Sequence, residues 1–309
     1  MANINLLTAT RSVEATMPFM LYRLAVCLGT ALAALFAALF GAGTFIAFAS
    51  FSAKPGSVGN VGAVLGLAAF AYLIWRFRAY LFFNIQAGHL ALLAELSKGT
   101  KLPQGKAQVD LAKAKAAQLF PSASGFHEIS EAAKSVLQAL PARRCPWVAR
   151  LANRELAGHL GRAEGWVARS GGQALLSLIF LNLDKNPWAS VRLGLILQAK
   201  HFDTLSKSLL AVLAFQGLGL IAAYFAMLYP VDSAVSLLPA SVNVGWWRYA
   251  FALIFAWGLK AAFLEPIATA ALADVYAKLA SQDDGAGDAE AKELEECSEA
   301  FRKITQNAA

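Results

Sequence analysis

Residues 24–53 read LAVCLGTALAALFAALFGAGTFIAFASFSA and carry no charged side chain. A helix needs about 20 consecutive apolar residues to cross the hydrocarbon core of a bilayer, roughly 30 Å thick. This stretch therefore holds a first membrane span, with Arg23 before it and Lys54 after it. Ala47-Phe48-Ala49 has the small-residue form of a leader cleavage site. The apolar run is longer than the roughly 7–15 residues of a signal-peptide core, so the expectation is a span that is kept.

Three more runs of the same kind follow. Lys54-Pro55-Gly56 is a turn signal. Span two then covers about 58–75 and closes on Trp75, Arg76, Arg78 and Tyr80, the aromatic and basic girdle that suits the headgroup level. Span three covers about 209–229 and is expected to end at Pro230. Span four opens at Trp246-Trp247-Arg248-Tyr249 and reaches about Pro266, continuing as helix toward Lys278. The predicted fold class is all-α and polytopic, with four spans in two hairpins around a helical cytoplasmic insertion. Its segments are 1–90 (N-terminal region and first hairpin), 91–204 (basic insertion), 205–280 (second hairpin) and 281–309 (acidic tail).

Composition agrees with this reading. The chain is 58% hydrophobic and 15% charged, with mean hydropathy +0.50, whereas soluble domains carry about 25% charged residues. Its net charge of +7 is unevenly placed. Residues 84–200 hold eight Lys and seven Arg against seven acidic residues. No aromatic-interleaved polar patch accompanies them, so nucleic acid is not an expected partner; anionic headgroups are the simpler one. Basic segments stay inside, which puts both termini and the insertion on the cytoplasmic or matrix side, as in a bacterial inner membrane or its equivalent. The hairpins near Lys54 and Asp232 then face outward. Within the insertion, 111–119 and 129–140 read as amphipathic helix, broken by Pro103, Pro121, Pro141, Pro146 and Pro187. Residues 172–183 are apolar but too short to span, which leaves an interfacial helix or a packed core helix. Residues 274–309 hold nine acidic against four basic side chains and are expected to end in a solvated amphipathic helix.

Helices associate in lipid through close backbone approach at small residues. Gly29, Ala33, Ala37 and Gly41 form a fourfold-spaced ridge in span one, and Gly62 and Gly66 form a GxxxG pair in span two. Gln216, Gly219 and Ala223 share a face of span three; Gly258, Ala261, Ala262, Glu265 and Thr269 lie close to one face of span four. These two faces are expected to meet.

Chemistry is sparse. Cys27, Cys145 and Cys297 make no disulfide framework or CxxC pair. His89, His127, His159 and His201 are scattered. Pairs at fourfold spacing occur (His127 with Glu131, Glu155 with His159), but no HExxH motif does. Walker, Rossmann and GxSxG patterns are absent, so neither a cofactor, a metal nor a hydrolytic activity is expected. The remaining candidates are Lys260, roughly 18 Å in from Arg248 at about 1.5 Å per residue, and Glu265, roughly 26 Å in. Ionisable groups at such depth mark polar pathways or ion pairs. The alternatives are snorkelling for Lys260 and an interfacial carboxylate for Glu265. Five residues apart on an α-helix, the two are not expected to neutralise each other. Pro266 should disturb the helix and free carbonyls beside Glu265.

Two resemblances can be drawn. Trp75, Asn84 and Ala87-Gly88, followed by Asn153-Arg154, Gly165, Ser170, Ala174 and Asn182, resemble motifs of choline-transporter-like membrane proteins. The order of spans and insertion, with Leu264-Glu265-Pro266-Ile267-Ala268-Thr269, is similar to the stator and energiser proteins of the MotA, TolQ and ExbB type. Those proteins carry a Gly-Thr pair in that span, which is absent here. The leading expectation is solute or ion handling in the membrane, transporter-like or channel-like, with Gln216, Lys260 and Glu265 lining or gating the polar path, in a protein associated with the bilayer and with copies of itself or other membrane subunits. The alternative is a non-catalytic membrane subunit scaffolding a larger complex.

Overall fold

The computed structural model describes residues 4–48, 55–140, 171–182, 186–236, 245–283, 285 and 287–308. The Lys54 turn, Ala49, Pro141, Cys145, Pro146, Asn153-Arg154, Glu155, His159, Gly165 and Ser170 lie outside them. The described residues are almost all helical and include no strand. Four helices are long and apolar enough to cross a membrane, as an integral membrane protein requires. They are α2 (Met17–Phe48), α3 (Pro55–Ser97), α9 (Phe202–Ser236), and α10 (Trp247–Leu259) with the elements that continue it.

Two of these depart from the spans read in the sequence. Pro230 lies inside α9, which continues to Ser236; a helix that would span lipid tolerates one missing N–H where its neighbours re-satisfy the freed carbonyl. α3 does not stop at its aromatic girdle. It runs 43 residues, about 65 Å at 1.5 Å per residue. Its later part is built from strong helix formers, and Ile85, Ala87 and Leu90 to Ala94 are buried there.

The chain divides into two units. The first comprises Met1–Phe19, Phe83–Phe215 and Pro266–Ala309. It contains α1 (Leu6–Ala15), α4 (Lys106–Leu119), α5 (Ala123–Ala139), α6 (Gly172–Leu175), α7 (Ser177–Leu181), α8 (Pro187–Lys200), most of α11 (Glu265–Gln282), α12 (Asp288–Cys297) and α13 (Glu299–Ala308). Side-chain caps set several starts. Asn5 accepts from the Thr8 amide, Ser122 from Gly125, and Asn186 from Trp188 just past Pro187 at the first helical position. One apolar core joins Leu90, Phe126, Val136, Leu175, Phe180, Leu197, Tyr276, Leu294, Phe301 and Ile304. Residues 172–181 are therefore a core element of this unit, which settles the choice between interfacial and packed. Gln108, fully buried, ties α4 to the N-terminal helix by donating to the Ala15 carbonyl and accepting from the Phe19 amide.

The acidic tail forms the expected amphipathic helix but is solvated on one side only. Phe301 and Ile304 are fully buried among α5 and α8. Lys303 meets Glu128, and the Asn186 side chain donates to the Asn307 carbonyl.

The second unit comprises Met20–Phe82 and Gln216–Glu265. Its buried apolar cluster is small, centred on Ala38, Ala63 and Trp247. Phe36, Phe40, Leu218, Phe225 and Tyr229 point outward, as expected where the surroundings are hydrocarbon rather than water. Gly41, Gly62, Gly66 and Ala37 bring α2 and α3 into backbone contact: a methyl group added at Gly41 or Gly62 would collide with the other's carbonyl oxygen, and one at Gly66 with that of Ala37. The ridge is not continuous. Gly29 is exposed, where a methyl group added would meet nothing within 4 Å, and Ala33 is half-buried. Span four touches α3 through the Trp247 indole, which donates to the Asn60 side chain at 2.9 Å.

Candidate functional site

The helix of span four changes pitch where its charges sit. Residues Lys260–Leu264 form a π turn, and the Glu265 N–H donates to the Lys260 carbonyl five residues back. In α geometry that amide would serve Ala261. The next amide along belongs to Pro266, which has no N–H to give. The Ala261 carbonyl is thus left without either main-chain donor, and Arg23 Nε–H donates to it across the helix interface at 2.7 Å. Pro266 does free a carbonyl beside Glu265, and α2 supplies the donor.

The same turn overturns the expectation that Lys260 and Glu265 stay apart. Five residues along an α-helix are about 140° apart in direction, but an i to i+5 turn brings them to one side. Lys260 Nζ lies 2.8 Å from Glu265 Oε1. Arg23 Nη2 lies 3.4 Å from the other oxygen, Oε2. The Lys260 ammonium also sits 5.0 Å over the Trp257 ring, a cation–π contact. Arg23 is 5% exposed, and the side chains of Lys260 and Glu265 are 14% and 27% exposed. Two cations flank one carboxylate, so the cluster carries one net positive charge.

A cavity of about 560 Å³ lies in the same unit. Its walls are Cys27, Thr30, Ala31 and Ala34 of α2, Leu67, Phe70, Ala71, Ile74 and Phe82 of α3, and Leu253, Ile254, Trp257, Gly258 and Ala261 of span four. They are apolar almost throughout. The Thr30 hydroxyl is spent on the Val26 carbonyl. Ala261 and Trp257 belong to both structures, so the charge cluster stands at one end of the cavity.

The remaining sequence candidates are distributed as follows. The Gln216 side chain is half-buried and makes no hydrogen bond with any described residue, so it does not join the cluster. Gly219 receives the Leu264 side chain, giving one contact between spans three and four. Gly258 instead faces span one: a methyl group added there would lie 3.5 Å from the Cys27 carbonyl oxygen and 3.8 Å from Ala31 Cβ. At Gly258 and at Ala261, whose carbonyl accepts from Arg23, span four meets α2. Among the described residues, no group of three or more His, Cys, Asp or Glu is placed to hold a metal.

Sequence reasoning missed Arg23 and Trp257. Arg23 had a signal, as the charge abutting the longest uncharged run. Trp257, one turn before Lys260, had none beyond that spacing. No protein-family model, curated protein or solved structure matches the chain.

Proposed function

We propose that this protein handles a solute within the bilayer, in the manner of a transporter or channel. The Arg23–Glu265–Lys260 cluster would be its charged recognition element, and the adjoining cavity the place where the solute rests. One observation carries the reading: a charge cluster with surplus positive charge, built by an irregular helical turn, stands at the end of a cavity of ligand size. Ligand pockets run from about 300 to 1,000 Å³. Irregular turns in spanning helices occur where they line a cavity, and ionisable groups at depth are costly unless used. Gln216 is among neither the walls of the cavity nor the cluster, and enters this reading only as a polar side chain of span three.

In the proposed topology the spans form two hairpins, with the insertion and both termini on the cytoplasmic side. Maleimide labelling of single cysteines placed at Pro55 and at Asp232 should then succeed from outside intact cells; labelling only after lysis would reverse the orientation. Four spans leave little wall for a solute path, so the reading includes self-association, with more than one chain's mass expected in native detergent.

Reconstituted vesicles test the function. They are challenged in turn with protons, potassium, choline and palmitate, read by internal dyes or radiolabel. One flux should exceed that of protein-free vesicles, and Lys260→Leu, which leaves a neutral Arg23–Glu265 pair, should abolish it while insertion is unchanged. No flux above background, or equal flux in the variant, would favour the non-catalytic scaffold, whose loss would follow deletions in the insertion or tail instead.

A further inference from the structure

We infer that the cavity beside the charge cluster binds one long-chain fatty-acid anion, its carboxylate at Lys260 and Arg23 and its chain along the apolar wall. This rests on the solute-handling reading above and names the class of solute.

Charge supplies the first argument. Both oxygens of Glu265 are engaged, one by each cation. Arg carries five N–H donors and Lys three, and the described contacts use only the Arg23 bonds to Ala261 and Glu265 and the Lys260 bond to Glu265. A monoanion would neutralise the cluster and meet these surplus donors. A phosphate monoester would overshoot to net negative, at a depth where uncompensated charge is expensive. Lys260 is the more exposed of the two cations and is the natural first contact.

Shape supplies the second. Along α2 the wall runs from Cys27 at the charged end to Ala34, and along span four from Ala261 to Leu253. These are about 10–12 Å at 1.5 Å per residue, and along α3 the wall runs from Leu67 to Phe82, about 22 Å. The cavity's volume, about 560 Å³, lies within the range of ligand pockets, and its apolar wall along α3 suits an extended acyl chain. A short soluble carboxylate would leave the apolar wall unused, and an uncharged long-chain alcohol or ester would leave the surplus charge unmet.

The test uses the full chain in phosphatidylcholine nanodiscs, with 9,10-dibromostearate as a quencher of tryptophan fluorescence. Saturable quenching is expected, lost in Trp257→Phe, whose ring lines the cavity. The methyl ester should bind at least tenfold more weakly. Lys260→Gln should weaken the acid about tenfold and leave the ester unchanged. Ala34→Phe, which fills the apolar end without touching the charges, should weaken both. Equal quenching by acid and ester, or by dibrominated phosphatidylcholine at the same mole fraction, would overturn the assignment, as would full binding in Ala34→Phe. The two readings fail separately. Acid binding with no flux of any solute removes transport and keeps this site, whereas potassium or proton flux without acid binding keeps transport and removes the site.

Discussion

Glu265 holds a cation with each of its oxygens, so its neighbours do not respond alike to substitution. Glu265→Gln strands two cations near each other and should lower stability by about 3–5 kcal/mol, the usual result of breaking a buried pair from one side. Lys260→Met removes the surplus charge and leaves a neutral Arg23–Glu265 pair, so its effect should stay within about 1 kcal/mol. Fluorescence-detected unfolding in detergent compares them, and equal losses would contradict the geometry. The sequence showed both members at depth but not their contact, because an ideal helical repeat of 3.6 residues separates positions five apart. Only the wider turn unites them. Arg23 was harder to foresee still: its partners lie 238 and 242 residues further along the chain, and no local pattern reports such a pairing.

Helices in this molecule owe their irregularities to identifiable atoms. Pro266→Ala would restore an N–H at a place where Arg23 now serves an orphaned carbonyl. The α register could then close, and Arg23→Met should become less damaging in that background. A coupling of about 0.5–3 kcal/mol is typical of residues sharing one network, and a double-mutant cycle on unfolding midpoints measures it. The glycines of α2 and α3 separate in the same way. Gly62→Ala would drive a methyl into the Gly41 carbonyl and should cost about 1–3 kcal/mol, as overpacking does. Gly29→Ala meets nothing within 4 Å and should be neutral, although both glycines occupy small-residue spacings in the sequence. Spacing reveals that a helix has a smooth side; it does not reveal how far along that side another helix reaches. Hydropathy made the spans legible for a simpler reason, since length and lack of charge are properties of each segment by itself. The overrun of α3 and the continuation of α9 past Pro230 were not legible, because what surrounds the helix decides both.

Across the whole molecule, the first unit draws on three stretches of chain that are remote in sequence. The amphipathic pattern of its last helix was readable from Phe301 and Ile304; the surface they cover was not, since it belongs to α5 and α8. Phe301→Ala should lower that unit's stability by about 3–5 kcal/mol, as large-to-small changes in cores do. Lys303→Ala, which loses only an exposed pair with Glu128, should cost less than about 1 kcal/mol. Limited proteolysis of the purified chain reads both, and similar cleavage rates would place Phe301 outside the core. Because α11, α12 and α13 complete a hydrophobic interior begun by α3, α4 and α5, the order of synthesis matters. The ribosome finishes the first half of that interior long before it makes the second. A nascent chain halted before residue 266 would present unsatisfied apolar surface to chaperones and proteases. Pulse–chase degradation of such stalled products, set against release of the full chain, should show protection arriving only with the final helices.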